Sequence, residues 1–425
     1  MSAAYHFDSI RKALGPGLLF AAVAVGVSHL VQSTRAGALY GLGMISLIVI
    51  AHAAKYPVFR FGPQYTAVTG VSLLEGFRRQ GWWALALYGG VSLCTMFTAM
   101  AAVSLVTAGL ATAALGLTVP STTLAMLILV LCAALLVIGR YHWLDLIAKV
   151  LMVVLTVSTL TATLLVLAYL DWTASSPLPP RLWDMGTVLF VAALVGWMPA
   201  PIDTAVWQSL WTVAKSRDTR HRPTVAESVL DFNIGYLATM VLAICFLLLG
   251  AGVMHGSGVE IETSAAKFAA QIVGLYETTL GGWSGPIISV AALATMVSTV
   301  LVALDGFPRA MSTLLLRCFS PEVPDRSHDS KVGYRLYVLN IVLLTGGAII
   351  VLQIFLGAFK TLIDLATTTS FLTAPILAVL IHRAMHSESV PGSSRPSAVL
   401  RIWSVAGIGF LSLFAVGYVY LITTL

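Results

Sequence analysis

The chain has 425 residues, of which 58% are hydrophobic and 10% are charged, and its formal net charge is +6. Soluble globular domains carry about 25% charged residues, so this composition excludes an ordinary soluble protein and indicates a surface that faces lipid. The basic residues lie in short hydrophilic segments and not in one stripe, which argues against nucleic-acid binding. No phosphate-binding P-loop is present. We therefore expect neither ATP coupling nor enzymatic activity, and no cofactor.

Apolar runs between polar breaks predict an all-α membrane protein, because a membrane-spanning helix needs about 20 consecutive apolar residues. The first ten residues carry no signal-peptide pattern, so the run from Gly15 is expected to be a retained helix. No polar stretch is long enough to form a soluble domain. About eleven spans are predicted: 15–41, 42–62, 82–115, 121–139, 143–170, 186–212, 227–254, 281–316, 333–356, 360–385 and 398–423.

The distribution of Lys and Arg predicts the orientation of these spans. Basic residues such as Arg11 and Lys12 precede the first span, and basic clusters then recur in every second loop. Cytoplasmic loops carry the excess of basic residues. We therefore expect the N-terminus inside and the C-terminus outside, with the protein integral to the lipid bilayer of a bacterial plasma (inner) membrane.

Two predicted spans are poor continuous helices. In the first, the apolar run meets Gly26, Val27, Ser28 and His29, and in the sixth Pro199 and Pro201 stand two residues apart. Each proline removes a backbone donor and clashes with the preceding turn. Interrupted helices at corresponding positions of two halves indicate the binding site of a secondary transporter.

Because the breaks are five helices apart, we expect residues 1–425 to form one transporter domain with an inverted repeat. The first five-helix repeat would cover 15–170, the second would cover 186–385, and 398–423 would be an extra eleventh helix. The alternatives are close helix packing at the glycines and a plain structural kink at the prolines.

Several motifs resemble those of one transporter family. GPGLL opens the first span and AGALYG closes it, TGVSLLEGF follows the second span, Met198-Pro199 begins the break of the sixth, and Glu227-Ser228 begins the seventh. These segments resemble the Nramp family of proton-coupled divalent-metal transporters, which has the inverted-repeat fold of the bacterial leucine transporter. The resemblance implies alternating access and a metal site at broken helices one and six.

The departures from the family pattern lie where that resemblance places the metal. Where the family has DPGN, this sequence has GVSH, so Gly26 and His29 stand at the places of the metal-binding aspartate and asparagine. In the sixth helix the methionine is kept as Met198, but Ala200 and Pro201 replace histidine and asparagine. Divalent metals prefer charged or imidazole ligands. If a metal binds, the remaining candidates are His29, Met198 and Asp203.

Ionisable groups within the spans are candidate functional residues, because they are costly in a bilayer. Asp203 could bind a cation or cap the helix after the break. His29 could contact substrate, carry the proton or simply bond to backbone, and Ser28 could contact substrate or satisfy freed backbone groups.

Two pairs of charged residues are candidate gate or proton-pathway residues. Arg35 and Asp364 are both expected near the outer side, where they could form an outer gate or a static ion pair. Asp305 and Arg309 are four residues apart on one helix face, which usually indicates a stabilising pair, with an inner gate or proton relay as the alternative.

Two cargoes remain open. The first interpretation is a secondary-active transporter that moves a small cation, with or without a co-transported proton. The alternative is a transporter of a small organic solute, such as an amine, an amino acid or a sugar-like molecule, with the metal site lost. A membrane scaffold without transport is disfavoured, because it would not need the two breaks.

Overall fold

The computed structural model describes residue 9 and residues 11–170, 184–255, 265–319, 330–356 and 358–424. Within these ranges all regular structure is helical. Eight helical stretches there are long and apolar enough to cross a membrane, and the first of them, Pro16–Thr69, includes both of the first two predicted spans. Each of the eleven predicted spans overlaps a helix. Their number as membrane crossings and their orientation stay predictions.

In the described part of the chain the α-helices have the following bounds: α1 Pro16–Ala24, α2 Thr34–Tyr40, α3 Met44–Thr69, α4 Leu73–Gln80, α5 Trp82–Leu115, α6 Ser121–Val166, α7 Met185–Trp197, α8 Asp203–Asp218, α9 Val225–Val253, α10 Ala265–Leu280, α11 Ser284–Phe319, α12 Lys331–Ile354, α13 Phe359–Met385 and α14 Ala398–Thr424. A π-helical segment, Val27–Ser33, joins α1 to α2. Short 3₁₀ turns occupy Gly41–Gly43, Leu167–Tyr169 and Gly392–Ser394.

The start of α1 is held by a carboxylate from another helix. Asp231 of α9 accepts hydrogen bonds from the backbone N–H of Gly15 at 2.9 Å and from that of Gly17 at 2.6 Å. An anionic acceptor at a helix N-terminus satisfies donors that have no partner within the helix. A side chain on Gly17 would put its Cβ 2.0 Å from the Asp231 carbonyl oxygen. The GPG motif therefore fixes α1 against α9.

The first helix is interrupted at one point and then continues in a different helical form. α1 ends at Ala24, and Gly26 has φ −121° and ψ −125°, outside the helical region. We predicted a break over 26–29, but Ser28 and His29 already belong to the π-helical segment. The break is therefore shorter than predicted, because a wide helical turn resumes directly after Gly26.

The second break matches its prediction. α7 ends at Trp197, residues 198–202 are not helical, and α8 begins at Asp203. Pro199 and Pro201 lie inside this segment, where neither must supply an N–H to a helix. The two breaks are neighbours in space, since the Ser28 hydroxyl lies 3.4 Å from the Pro199 carbonyl oxygen.

Other boundaries differ from the prediction. α4 and α10 are additional short helices, one after the second predicted span and one before the eighth. We expected a loop between the fourth and fifth spans, near residues 140–142, but the backbone of α6 is helical throughout 121–166. The sequence GRYHW in that region contains only one glycine and no proline, so nothing local forces the helix to end.

Candidate transport site

A cavity of about 40 Å³ lies between the two breaks and is enclosed by α5 and α11. It is large enough for a few water-sized groups. Its walls are mainly apolar, with a few hydroxyl groups. The lining residues are Val23, Val27, Ser28, Ala99, Val103, Trp197, Ala200, Pro201, Thr204, Trp207, Thr299, Ala303 and Phe307.

The three hydroxyl groups in this lining all donate their hydrogen to backbone carbonyls. Ser28 donates to Ala24 at 2.7 Å, Thr204 donates to Pro201 at 2.7 Å, and Thr299 donates to Ala22 at 2.9 Å. A hydroxyl has one hydrogen and two acceptor lone pairs. In this arrangement the hydroxyl oxygens offer acceptor positions to the cavity, and their hydrogens are directed to backbone carbonyls next to the breaks.

Aromatic rings form much of the remaining wall. The Trp197 indole N–H donates to the Ser370 hydroxyl of α13 at 2.9 Å, which fixes the ring at the end of α7. Trp207 of α8 meets Phe307 of α11 edge to face, with ring centroids 4.5 Å apart. Such pairs hold each other in a defined orientation. Faces of Trp and Phe rings also attract organic cations.

Of the predicted substrate-binding residues, Ser28 and Ala200 line the cavity, whereas Gly26, His29 and Met198 do not. A Cβ on Gly26 would lie 2.7 Å from the Thr299 methyl carbon, so Gly26 serves close packing between α1 and α11. Met198 is fully buried in a hydrophobic cluster together with residues such as Phe371. Gly26 and Met198 lie at the two breaks and His29 lies just after the first, but none of the three belongs to the cavity lining.

His29 is buried and bonded on both ring nitrogens. Nε2 lies 3.0 Å from the Thr239 carbonyl oxygen of α9, and Nδ1 lies 2.8 Å from the Ser28 hydroxyl oxygen. Since a carbonyl only accepts, Nε2 carries a hydrogen. The single Ser28 hydrogen can be donated to Nδ1 of a neutral ring or to the Ala24 carbonyl; when the ring is protonated, Ser28 accepts from Nδ1 and its hydrogen goes to Ala24. The protonation of His29 is thus linked to a hydroxyl that lines the cavity.

Asp203 is the first residue of α8 and is 1% exposed. Its Oδ1 accepts a hydrogen bond from the Ser92 hydroxyl of α5 at 3.2 Å. The side chain does not belong to the cavity lining, although Thr204, the next residue, does. An acidic side chain in the first turn of a helix is favoured by the helix dipole. The capping role and a place close to the site are therefore both compatible with this position.

Sequence reasoning overlooked Lys55 of α3. Its side chain is 0% exposed, and its Nζ donates to the carbonyl oxygens of Val195 at 2.7 Å and of Gly196 at 2.9 Å, in the last turn of α7. The signal was present in the sequence, because Lys55 stands inside an apolar run that was predicted to span the membrane. What the sequence did not show was its partner, which lies about 140 positions further along the chain.

The proposed outer pair is formed in the structure. Arg35 NH1 lies 3.8 Å from Asp364 Oδ1, and the two side chains are 10% and 42% exposed. The same guanidinium donates to Gln32 at 3.1 Å and lies 5.3 Å from the centroid of the Phe190 ring. Arg35 is thus held by several neighbours, and Asp364 is the more exposed partner. Their role as a gate stays a prediction.

Asp305 and Arg309 form part of a larger buried network. The Asp305 carboxylate accepts from Arg309 NH2 at 2.6 Å and from Arg309 Nε at 2.8 Å. It also accepts from the Trp211 indole at 2.9 Å and from the Tyr337 hydroxyl at 2.7 Å. The network ties α8, α11 and α12 together one turn from the cavity residues Trp207 and Phe307. Its connection to α8 could not be read from the i,i+4 spacing.

The donor groups around the cavity do not make a site for a divalent metal. Among the described residues no group of three or more His, Cys, Asp or Glu side chains could hold a metal ion. The polar side-chain groups of the lining residues are three neutral hydroxyls and two indole N–H groups, and the indoles only donate hydrogen bonds. Neutral oxygens at membrane depth leave the charge of a dication poorly compensated.

Residues 17–421 match the family model for Nramp, described as natural resistance-associated macrophage protein-like. A Pasteurella multocida (strain Pm70) protein, uncharacterized protein PM0681, is 32% identical over 415 residues, which cover 96% of this chain and 92% of the relative. The chain belongs to the Nramp family. Membership extends over nearly the whole length, well beyond the motifs that indicated it.

Solved structures of low sequence identity share the fold of this Nramp protein. The Eremococcus coleocola manganese transporter, in complex with an aromatic bis-isothiourea substituted compound, has a TM-score of 0.72 at 15% identity, covering 98% of this chain and 87% of that one. Mhp1, a nucleobase-cation-symport-1 family transporter with bromovinylhydantoin bound, has a TM-score of 0.57 at 14% identity, covering 96% and 92%. MhsT in complex with L-phenylalanine has a TM-score of 0.57 at 15% identity, covering 95% of this chain and 97% of that one. The predicted all-α membrane fold of the leucine-transporter type is confirmed.

Proposed function

We propose that this Nramp-family membrane protein is a secondary-active transporter that binds its cargo in the cavity between the broken helices. The observation that carries the proposal is the position of this cavity, with wall residues from both breaks, including Ser28 and Ala200. Broken helices that meet at a cavity suit alternating access. Arg35 with Asp364 would close the site on one side, and the Asp305 network would close it on the other.

The chemistry of the lining supports a small organic solute with N–H or O–H donors, such as an amine or amide. The oxygens of Thr204 and Thr299 are placed to accept hydrogen bonds, since their hydrogens are donated to backbone, and the Ser28 oxygen is a third acceptor that is shared with His29. The rings of Trp197 and Trp207 add apolar contact and attraction for an ammonium group. Because the cavity is small in this conformation, we expect a compact solute.

A small metal cation is the second candidate. Family membership and the fold shared with a manganese transporter favour it. Asp203 also favours it, because this carboxylate is buried beside the cavity residue Thr204 and makes no ion pair among the described residues. A cation in the cavity would need the Asp203 side chain to leave Ser92. Proton coupling would then use His29, whose ring is hydrogen-bonded to a cavity hydroxyl.

A binding screen separates the two cargoes. Purified protein would be titrated by calorimetry, and screened by thermal shift, with Mn²⁺, Mg²⁺ and a panel of small amines, amides, amino acids and sugars. We expect a response to an organic compound and none to metals at millimolar concentration. A saturable Mn²⁺ response that disappears in Asp203→Asn, with no organic response, would establish the cation instead. A response to neither class would leave the cavity without a ligand and count against transport through it.

A further inference from the structure

The end of α7 is a place where a cation is expected on physical grounds. The last carbonyls of a helix have no intrahelical N–H partner and form the negative end of its dipole. Pro199 and Pro201 prevent the helix from continuing past this point. Half-helix ends of this kind coordinate small cations in membrane transporters. The carbonyls of Val195 and Gly196 are at this end.

Those two carbonyls are occupied by the chain itself. Lys55 Nζ lies 2.7 Å from the Val195 carbonyl oxygen and 2.9 Å from that of Gly196, which are distances typical of charge-assisted hydrogen bonds. The ammonium makes no ion pair with a carboxylate among the residues that the structure describes, and its side chain is 0% exposed. A buried charge must be compensated. Here the compensation comes from the end of the broken helix.

The other titratable groups near Lys55 do not supply a negative charge. His52 lies one turn earlier on α3, where Nδ1 is 2.9 Å from the Ile48 carbonyl oxygen. Its ring packs edge to face on Tyr236 of α9, with centroids 5.5 Å apart. Each of these groups is neutral or positive near neutral pH, so none replaces the dipole as the partner of the ammonium.

The fit at this position is close. Gly196 has no room for a side chain, since a Cβ there would lie 2.5 Å from the Thr367 carbonyl oxygen of α13. α7 is therefore fixed against α13 on one side, and its end is bonded by Lys55 on another. Lys55 therefore bonds to a helix end that is itself closely packed, and not to a solvent-exposed loop.

We propose that Lys55 is a tethered cation that takes the place of an exchangeable Na⁺ or metal ion at the end of the first half of the broken sixth helix. The break then needs no bound inorganic cation to be stable. Its terminal carbonyls are also closed to a metal cargo. The inference goes beyond the proposed function, because it concerns the ion requirement of the break and not the cargo.

Thermal unfolding in detergent tests whether Lys55 replaces a bound cation at the end of α7, and it needs no transported substrate. Melting of the full chain would be followed in NaCl, KCl and N-methylglucamine chloride at equal ionic strength and pH. The wild type should melt at the same temperature in all three. Lys55→Ala should lower the midpoint by about 5 °C or more, and Na⁺ or methylammonium should restore part of the loss. Lys360→Ala, which removes an exposed lysine from α13, is the matched control. It should change neither the melting midpoint nor the response of that midpoint to the cation.

A second variant separates the charge from the packing. Lys55→Met keeps most of the side-chain volume without the ammonium, and we expect it to be destabilised and not restored by cations, because no space is vacated. Equal melting of Lys55→Met and wild type would overturn the proposal. A higher melting temperature of the wild type in NaCl than in the other two salts would also overturn the proposal. This measurement does not depend on whether a variant folds. Both outcomes are independent of whether the binding screen finds a ligand.

Discussion

Replacing Asp305 by Asn tests the buried network below the cavity. The carboxylate accepts four hydrogen bonds, from Arg309 twice, from Trp211 and from Tyr337, at 2.6 to 2.9 Å. An amide has one acceptor oxygen, and among the groups that its NH₂ would face, Arg309 and Trp211 only donate, so only the Tyr337 hydroxyl could accept from it. The variant therefore loses about half of the acceptor capacity and leaves a buried guanidinium without its counter-charge.

Breaking a buried ion pair by removing one partner costs about 3–5 kcal/mol, and we expect Asp305→Asn to fall in that range. The double variant Asp305→Asn/Arg309→Met removes both charges. It should be less destabilised than the sum of the single variants, because the uncompensated guanidinium is gone. The assay is a double-mutant cycle of unfolding free energies in detergent. An Asp305→Asn midpoint equal to that of the wild type would refute the reasoning.

Three further predictions concern other parts of the molecule. Asp364→Asn should change the free energy of unfolding by at most about 1 kcal/mol, because its ion pair with Arg35 is partly exposed. A gate role makes a different prediction: exchanging Arg35 and Asp364 should restore the uptake that is lost when either charge alone is reversed. Burial raises the pKa of the Glu75 carboxyl, but Arg78, Arg79 and Arg317 together lower it by more, so the pKa lies below its usual value of 4.5. Its stabilising effect should therefore be complete above pH 4.5 and be lost as the pH falls through the lower folded pKa, and E75Q should show a flatter melting profile in acid. Gly26→Ala should lower the melting midpoint, because a Cβ would lie 2.7 Å from the Thr299 methyl carbon. An unchanged midpoint would contradict the close packing of α1 against α11 at this residue.

The sequence predicted the features that depend on local backbone chemistry. Pro199 and Pro201 identified the second break, because two prolines so close exclude a regular helix whatever surrounds them. Gly26 identified the first break within one residue. The family motifs correctly indicated an Nramp protein. These predictions needed no knowledge of which helices lie side by side.

The directions of the side chains could not be predicted in the same way. His29 and Ser28 lie in a π-helical segment, whose turns contain more residues than those of an α-helix, so the 3.6-residue spacing does not tell which of them faces the cavity. Met198 points into a separate cluster because the chain leaves the helix at Trp197. Lys55 was visible as a charge inside an apolar run, but its partners on α7 depend on tertiary packing.

The partners of Asp305 show the same limit. Its pairing with Arg309 follows from the i,i+4 spacing, and the structure contains that pair. Trp211 and Tyr337 come from positions 94 and 32 residues away in sequence. No periodicity connects them, so the change from a helix-surface pair to a network across three helices could be seen only in the folded chain.

Uptake into proteoliposomes most directly tests the central claim that cargo binds between the broken helices. Wild-type protein would be compared with Thr299→Val, which removes one cavity hydroxyl at nearly constant shape, using the organic compound found in the binding screen and, separately, Mn²⁺. Thr369→Val, which removes a hydroxyl that bonds only within α13, is the control. We predict uptake of the organic compound by the wild type and the control, with a half-saturating concentration about 2–10-fold higher in Thr299→Val. Accumulation of Mn²⁺ without any uptake of the organic compound, unaffected by Thr299→Val, would contradict the account.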